Sequence, residues 1–201
     1  MKIALLDYGA GNVTSVERAL RRLGAEAQRS NSPEQIASAD AIILPGVGHY
    51  AALIRALDQQ NLRAPLLDAI RRGIPFLGIC LGLQALYDSS EEAPELAGLK
   101  LLSGSVRSLP ATVKLPHMGW NQLKPTRPSR LLENIPPEAF FYFAHSFAAT
   151  ESNGEAVALC THGAEFAAVI ENKNIFAVQF HPEKSAEAGA QLLRNFLAGC
   201  S

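Results

Sequence analysis

The chain has 201 residues, 48% of them hydrophobic and 18% charged, which is enough apolar material for one core and predicts a single domain over residues 1–201. Its 18 basic and 19 acidic residues leave a net charge of -1, which excludes a global electrostatic field for holding nucleic acid or an anionic membrane surface. A small-molecule substrate or a protein partner is therefore expected.

In the first half of the sequence, apolar strands alternate with amphipathic helices, the pattern of a mostly parallel sheet that helices cover on both faces. Strands are predicted at 2–7, 25–28 and 41–44, and a further apolar run leads into Cys80. Asn12 is expected to cap the first helix and Gly24 to end it, while Ser32 and Gln35 form a capping box for the second. A helical pair follows and is expected to close at Gly73.

The second half is rich in short β segments, which predicts an antiparallel portion added to the parallel sheet. These segments are 100–102, 140–143, 156–160, 167–171 and 175–179. The turn at 172–174 is expected to close a hairpin, since asparagine tolerates positive φ, and Ser185 is expected to open a last helix. Residues 108–137, which contain Trp120, are interpreted as an ordered surface excursion. The expected fold class is α/β, with an open, mostly parallel sheet, helices on both faces and an added antiparallel β portion.

The most informative local pattern is the pentapeptide 78–82, Gly-Ile-Cys-Leu-Gly, between an apolar strand and a short helical pattern. A strand that enters a helix through a turn flanked by glycines is typical of a nucleophile elbow, here with cysteine in place of serine. The first helical N–H groups and the helix dipole would favour the reactive thiolate of Cys80. The alternative is a buried cysteine at a strand end, because glycines also serve ordinary turns between a strand and a helix.

A base for this cysteine follows the predicted strand 175–179. His181 would take and return the proton, and Glu183, two residues later, would orient the imidazole, so that Cys80, His181 and Glu183 form a triad. The alternative interpretation of this His-Pro-Glu segment is the acidic first turn of a helix.

An oxyanion site is predicted in the loop Pro45-Gly46-Val47-Gly48, which follows a buried strand. Its glycines would let backbone amides approach a substrate, with one donor near Val47 and the other at Leu81. A phosphate cradle is the weaker alternative, because the loop lacks the Lys-Ser/Thr ending of a P-loop and the full dinucleotide fingerprint.

The sequence contains no signal-peptide core or membrane span, since the apolar run at its start is interrupted by Asp7. Three widely separated cysteines disfavour a disulfide framework and structural zinc, and Cys160 and Cys200 are interpreted as structural and incidental. His117 and His145 lack a paired ligand at metal spacing and are expected to be loop or core histidines. We therefore expect a cytoplasmic protein without a metal.

Two long motifs resemble the class I, triad-type glutamine amidotransferases. They are 78–84, Gly-Ile-Cys-Leu-Gly-Leu-Gln, and 178–183, Val-Gln-Phe-His-Pro-Glu, and they occur in the order and at the separation typical of that family. Further stretches at 7–12, 45–48, 116–121, 142–146 and 181–185 resemble one branch of it, the glutaminase subunits of imidazole glycerol phosphate synthases. The resemblance runs essentially from end to end of the chain.

The resemblance implies the class I glutamine amidotransferase fold, an open, flavodoxin-like α/β sheet. It also implies a glutaminase of histidine biosynthesis, which hydrolyses L-glutamine to glutamate and ammonia through a cysteine thioester. The ammonia would pass to a separate (β/α)8-barrel cyclase subunit within a heterodimer. No cofactor, nucleic acid or membrane is implied.

Position by position, the resemblance implies three groups of residues. The catalytic triad is Cys80, His181 and Glu183. Glutamine would be bound by Gly46, Val47, Gly48, Leu81, Gln84 and Glu92 and by the backbone of Ser146 and Phe147. The cyclase would be faced by Asn12, Met118, Trp120, Asn121, Tyr142 and Lys184. The family often has tyrosine where this chain has Phe147, so only the backbone and the ring face are available there.

Three other functions remain open at this point. The chain could be a glutaminase for another acceptor, as in guanylate or anthranilate synthesis, or a cysteine hydrolase on a similar sheet. It could also be a non-catalytic subunit that keeps the fold, although such a subunit has no need of nucleophile, base and orienter together. Trp120 likewise has two interpretations, since a sole tryptophan is usually part of a core, whereas its polar, proline-rich surroundings favour an interface anchor.

Overall fold

A mixed sheet of eight strands forms the centre of the molecule in the computed structural model, which describes residues 1–9, 12–150 and 154–200. The strands are β1 (Ile3–Leu6), β2 (Ala27–Ser30), β3 (Ala41–Gly46), β4 (Phe76–Cys80), β5 (Ser89–Ser90), β6 (Ser105–Ser108), β7 (His117–Gln122), β8 (Lys124–Pro125), β9 (Phe140–His145), β10 (Phe147–Ala148), β11 (Ala156–His162), β12 (Ala164–Asn172) and β13 (Ile175–Val178). The helices are α1 (Val13–Arg22), α2 (Pro33–Ala37), α3 (Tyr50–Gln59), α4 (Arg63–Arg71), α5 (Leu81–Gln84) and α6 (Ala186–Ala198), with a 3-10 turn at Pro182–Lys184.

The order of the strands confirms the predicted fold class. The sheet runs β2-β1-β3-β4-β13-β12-β11-β8, and its first five strands pair in parallel while the last three pair antiparallel. Alternate residues of β3 face two different apolar clusters: Ile42 and Leu44 pack with α3 and α4, whereas Ala41 and Ile43 pack with α1 and α6. The sheet is therefore covered on both faces, as a strand with an unbroken apolar run requires.

Several of the predicted helix boundaries are confirmed by backbone geometry. Ser32 caps α2, because its hydroxyl accepts a hydrogen bond from the Gln35 amide at 3.3 Å. Gly24 and Gly73 follow α1 and α4 with φ values of 78° and 90°, in the left-handed region that glycine adopts without strain. Asn12 does stand at the start of α1, but the prediction of a side-chain cap was wrong, since its amide makes no capping bond.

Three local predictions need correction. Residues 100–102 form no strand, because the Leu101 and Leu102 amides both donate to the carbonyl of Leu86, behind α5. The second strand is Ala27–Ser30, two residues later than predicted. The hairpin of β12 and β13 is present, but positive φ falls on Lys173 at 56°, while the Asn174 amide donates to carbonyls at the end of α4 and just after it.

A separate two-stranded ribbon lies beside the main sheet. It pairs β7 with β9 in antiparallel register, Trp120 opposite Tyr142, and it confirms that the excursion 108–137 is ordered. Successive side chains of a strand point to opposite faces. One face of the ribbon carries Met118, Trp120, Gln122, Phe140, Tyr142 and Ala144, and we call it the outer face; the other carries His117, Asn121, Phe141, Phe143 and His145 and is mostly buried.

Candidate active site

Cys80 occupies the turn between β4 and α5 with a backbone that few residues tolerate. Its φ is 55° and its ψ is -105°, a strained combination for a residue that carries a Cβ. The side chain is buried, with 4% of its surface exposed, and lies at the carboxyl end of the parallel strands. This geometry is that of a nucleophile elbow, which presents a side chain at the tip of a sheet.

The glycines around Cys80 are required because α5 lies directly on the neighbouring strand. A Cβ on Gly82 would overlap the carbonyl oxygen of Leu44 in β3, and one on Gly78 would meet the carbonyl of Gly82 at 2.6 Å. Both obstacles are backbone atoms, which cannot rotate away as a side chain can. The glycines thus allow the close contact between helix and strand that holds the elbow in place.

His181 and Glu183 meet Cys80 from the far end of the chain. His181 follows β13, the strand that pairs with β4, and its amide donates to the Tyr142 carbonyl at 2.8 Å. Its Nδ1 lies 2.9 Å from Oε1 of Glu183, whose side chain is fully buried. The same oxygen accepts a second hydrogen bond of 2.9 Å from the side-chain amide of Asn12. The carboxylate therefore fixes the ring through Nδ1 and leaves Nε2 for Cys80.

The charge of His181 is set by its two neighbours. Burial lowers its pKa, but the hydrogen bonds and negative charges of Cys80 and Glu183 outweigh burial and raise the pKa to about 10. A folded-state pKa above the ordinary value of 6.5 means that the ionised ring stabilises the fold fully below pH 6.5. That contribution is lost as the pH rises through 10. The raised pKa favours the protonated ring at neutral pH.

Sequence reasoning missed Gln179, which lies two residues before His181 and is completely buried. Its Nε2 donates to Sγ of Cys80 at 3.5 Å, and its Oε1 accepts from Nε2 of Gln84 at 3.1 Å. The sequence does contain one indication of its role. Gln179 is a single amide side chain at the end of an apolar strand, and a buried polar group needs hydrogen-bond partners. Gln179 thus links the cysteine to Gln84.

A cavity of about 530 Å³ opens over the cysteine. Its lining is Asn12, Val47, Gly48, Cys80, Leu81, Gln84, Glu92, Pro116, Ala144, His145, Ser146, Phe147, His181 and Lys184. Seven of the eight predicted glutamine-binding residues are in this set, and the eighth, Gly46, pairs with Cys80 across β3 and β4 instead. The structure therefore brings the separate sequence motifs to one cavity.

The side chains of Glu92 and Gln84 both line the cavity but differ in their hydrogen bonds. The Glu92 carboxylate accepts a 2.7 Å hydrogen bond from the amide of Tyr50, at the first turn of α3. Gln84 is 2% exposed and its Oε1 has no hydrogen-bond partner, although Nε2 on the same amide has two. A buried acceptor without a partner is costly, which makes Gln84 Oε1 available to a donor on a bound molecule.

Comparison with known proteins decides the family. The model of glutamine amidotransferase class-I matches residues 4–200. The chain belongs to this family. It is 48% identical to the imidazole glycerol phosphate synthase subunit HisH of Moorella thermoacetica, over 96% of this chain and 93% of that one, and 49% identical to the HisH subunit of Methanothermobacter thermautotrophicus, over 97% of both. A solved structure described as a glutamine amidotransferase superimposes with a TM-score of 0.79 at 20% identity, over 98% of each chain, which supports the fold.

The outer face of the ribbon in this class I glutamine amidotransferase is apolar yet exposed. Met118 and Trp120 are 64% and 52% exposed, and Phe140, which sequence reasoning missed, is 52% exposed. Trp120 meets Tyr142 edge to face at 5.9 Å, and Nζ of Lys184 lies 5.7 Å from the Tyr142 ring centre. Trp120 is therefore a surface residue and not part of a core.

Two of the residues predicted to face a partner do not lie on the outer face of the ribbon. Asn121 is next to Trp120 in β7, so strand alternation turns it to the inner face, where its amide donates to the Thr161 carbonyl at 3.1 Å. Asn12 lines the cavity and holds Glu183. A run of consecutive residues in a strand cannot present every side chain to one partner. Ala10 and Gly11, part of the same motif as Asn12, lie outside the described residues.

Three further cavities among the described residues are lined by neither cysteine nor histidine. One of them, of about 450 Å³, lies between the 123–137 segment and Glu171. Over residues 1–9, 12–150 and 154–200, no group of three or more His, Cys, Asp or Glu side chains could hold a metal ion. In the same ranges, no helix combines the length and apolarity that crossing a membrane demands.

Proposed function

We propose that this chain hydrolyses L-glutamine to glutamate and ammonia and supplies the ammonia to the cyclase of an imidazole glycerol phosphate synthase, in histidine biosynthesis. The observation that carries the proposal is the strained elbow that aims Cys80 into a cavity beside the His181–Glu183 pair. The relatives at 48% and 49% identity are named as subunits of that synthase. The proposed triad is therefore Cys80, His181 and Glu183.

The first half of the reaction forms a thioester. The Cys80 sulfur attacks the side-chain amide carbon of glutamine, and the carbonyl oxygen becomes an oxyanion held by the amides of Val47 and Leu81. The intermediate collapses as the carbon–nitrogen bond breaks and the His181 imidazolium gives its proton to the leaving nitrogen. Ammonia is released, and the glutamyl group remains on sulfur.

The second half of the reaction returns the enzyme to its starting state. Water attacks the thioester carbon, and neutral His181 takes a proton from it as general base. The carbon–sulfur bond then breaks, which yields glutamate, the Cys80 thiolate and the His181 imidazolium. Glu183 stabilises that imidazolium through Nδ1 in both halves.

The cavity offers groups for each end of a glutamine. Gln84 Oε1, unpartnered and buried, and the Glu92 carboxylate are acceptors for the substrate's α-ammonium group. The backbone at Ser146 and Phe147 lines the cavity and supplies amides for the α-carboxylate. Phe147 acts through its backbone and ring face, so the missing hydroxyl costs nothing. This arrangement selects an amino acid with a short amide side chain over a peptide.

The proposed docking surface for the cyclase is the outer face of the ribbon, with Met118, Trp120, Phe140 and Tyr142, together with the adjacent Lys184. Large exposed apolar side chains of this kind anchor protein interfaces. Ala144 and Lys184 belong to the cavity lining as well, so a partner on this face would cover the cavity mouth. Ammonia would then leave into the partner instead of into water. The complex would be a cytoplasmic heterodimer whose overall activity is a lyase reaction.

The experiment is glutamine hydrolysis by the purified chain with and without a (β/α)8-barrel cyclase and its nucleotide ligand. We expect weak hydrolysis by the chain alone, strong hydrolysis in the complex, and formation of imidazole glycerol phosphate. Cys80→Ala should lower glutamine-dependent synthesis by at least about a thousandfold and leave ammonia-dependent synthesis intact. Glutamine-dependent synthesis by the Cys80→Ala complex would refute the proposal, and activation by a guanylate or anthranilate synthase partner instead would favour another acceptor.

A further inference from the structure

A chain of hydrogen bonds runs under the cavity from the ribbon to the proposed glutamine site. Asn121 Nδ2 lies 3.3 Å from His117 Nε2, His117 Nδ1 lies 3.0 Å from His145 Nε2, and His145 Nδ1 lies 2.9 Å from the Phe147 carbonyl oxygen. Both histidines are buried, at 5% and 6% exposure. None of these contacts takes part in the reaction steps above.

The donor and acceptor atoms fix the direction of each of these three hydrogen bonds. The Phe147 carbonyl can only accept, so His145 carries its proton on Nδ1, and Nε2 of the neutral ring must accept. His117 therefore donates from Nδ1 to His145, and its own Nε2 accepts from Asn121. The Asn121 amide is oriented independently, because its Oδ1 accepts from the Gln122 amide at 2.9 Å and its Nδ2 also donates to a carbonyl.

The surroundings keep both rings neutral. Burial lowers the pKa of His145 to about 3 and that of His117 to about 4, with the neighbouring histidines adding to the effect. His117 stacks on Phe143 at 4.7 Å, and His145 meets Phe166 edge to face at 5.0 Å. At neutral pH each ring therefore has one donor and one acceptor, as the chain of bonds requires.

The Phe147 carbonyl, at the inner end of this series of hydrogen bonds, sets the orientation of Gln84. The Phe147 carbonyl that accepts from His145 also accepts from Gln84 Nε2, at 2.8 Å. Gln84 Nε2 donates to Gln179 Oε1 as well, so two acceptors hold the nitrogen away from the cavity. The carbonyl oxygen of Gln84, on the same amide, is left buried and without a partner. Phe147 is also held by the pairing of β10 with β6, so loss of the His145 bond would loosen its carbonyl and, with it, the amide of Gln84.

We propose that His117 and His145 are positioning residues for the glutamine pocket, which act by locking the Phe147 peptide and the Gln84 amide through a one-directional relay of neutral imidazoles. The inference deepens the proposed function and rests on it. The relay acts on substrate binding and not on the bonds that break. Its outer end, Asn121, shares β7 with Trp120, so the pocket is braced from the strand whose other face is the proposed docking surface.

The kinetic test compares three variants in the complex with the cyclase. His145→Phe keeps the aromatic packing and removes the donor, and we expect the KM for glutamine to rise about tenfold, the effect of losing one buried hydrogen bond, with kcat changed less than about twofold. His145→Asn restores an N–H near Nδ1 and should recover most of the loss. His162→Phe is the matched control, because this ring stacks on His117 at 4.2 Å but bonds only to the Lys114 carbonyl outside the relay.

A second measurement applies whether or not His145→Phe folds. Nitrogen-15 correlation spectra of the histidine rings in the full chain should show His117 and His145 as neutral Nδ1–H tautomers at pH 7, and an Nε2–H tautomer at either residue would overturn the proposal. An unchanged KM in a folded His145→Phe, or a fall in kcat alone, would also overturn it. Absence of glutamine hydrolysis by the wild-type complex would instead refute the proposed function, and the two failures are thus distinguishable.

Discussion

The elbow at Cys80 and the ribbon of β7 and β9 position their side chains in opposite ways. The elbow is built from backbone: a residue at φ 55° is held by glycines whose closest neighbours are main-chain atoms. The ribbon is built from side chains, with an exposed apolar outer face and an inner face where two buried histidines bond each other. The proposed chemistry therefore depends on local backbone strain, whereas substrate positioning and docking depend on which way each strand residue faces.

The elbow should be most sensitive at Gly82, where the backbone of β3 leaves no room for an added atom. Gly82→Ala places a methyl group on the Leu44 carbonyl, and we expect the free energy of unfolding to fall by about 3 kcal/mol together with loss of activity. Urea denaturation measures the change in the free energy of unfolding. Gly199→Ala at the end of α6 is the matched control, with its nearest atom at 3.5 Å, and should change stability by less than about 0.5 kcal/mol. Equal effects of the two substitutions would show that the elbow is not tightly packed.

Substitutions on the outer face of the ribbon should do the reverse: they should change the stability of the fold little and the affinity for the cyclase strongly. Trp120→Ala removes the largest exposed side chain of the outer face, and we expect affinity for the cyclase to fall about 30-fold, or about 2 kcal/mol. The melting temperature should stay unchanged, since the side chain is half exposed. Calorimetric titration measures the affinity, and Arg55→Ala on α3 serves as an exposed control. A melting temperature lowered as much as by a core substitution would place Trp120 in the fold and not in the interface.

A smaller effect is expected where Asn12 meets the triad. Asn12→Ala removes one of the two hydrogen bonds on Glu183 Oε1, and we expect kcat for glutamine to fall about fivefold while the bond from His181 remains. Steady-state kinetics in the complex measures the change. If the fall appeared only as weaker cyclase binding, Asn12 would belong to the interface, as its sequence motif first indicated.

The elbow could be predicted from sequence because its determinants are adjacent. The pentapeptide 78–82 contains the strand end, the proposed nucleophile and both glycines, although the reason for Gly82, its contact with Leu44, is visible only in the fold. The capping of α2 by Ser32 was predictable for the same reason. Residues 100–102, Lys-Leu-Leu, show the limit of local reasoning, since the segment was predicted as a strand but its two leucine amides donate to the Leu86 carbonyl, just after α5.

The ribbon could be predicted only in part, because the role of each residue depends on which face of the strand its side chain occupies. Trp120 and Asn121 are neighbours in one motif, yet alternation along β7 sends one outwards and the other to His117. Gln179 and the bond between His117 and His145 were missed because the partners in these contacts are 28 to 99 residues apart in sequence. No local pattern indicates that a buried amide or imidazole will find such a partner.

The central claim, that Cys80 is a nucleophile for glutamine, is tested most directly by labelling the full chain with an electrophilic glutamine analogue and locating the adduct by mass spectrometry. We predict one adduct per chain, on Cys80 and not on Cys160 or Cys200, with protection by glutamine and none by peptides. An adduct on either of the other cysteines, or labelling of Cys80 that glutamine does not slow, would contradict the claim.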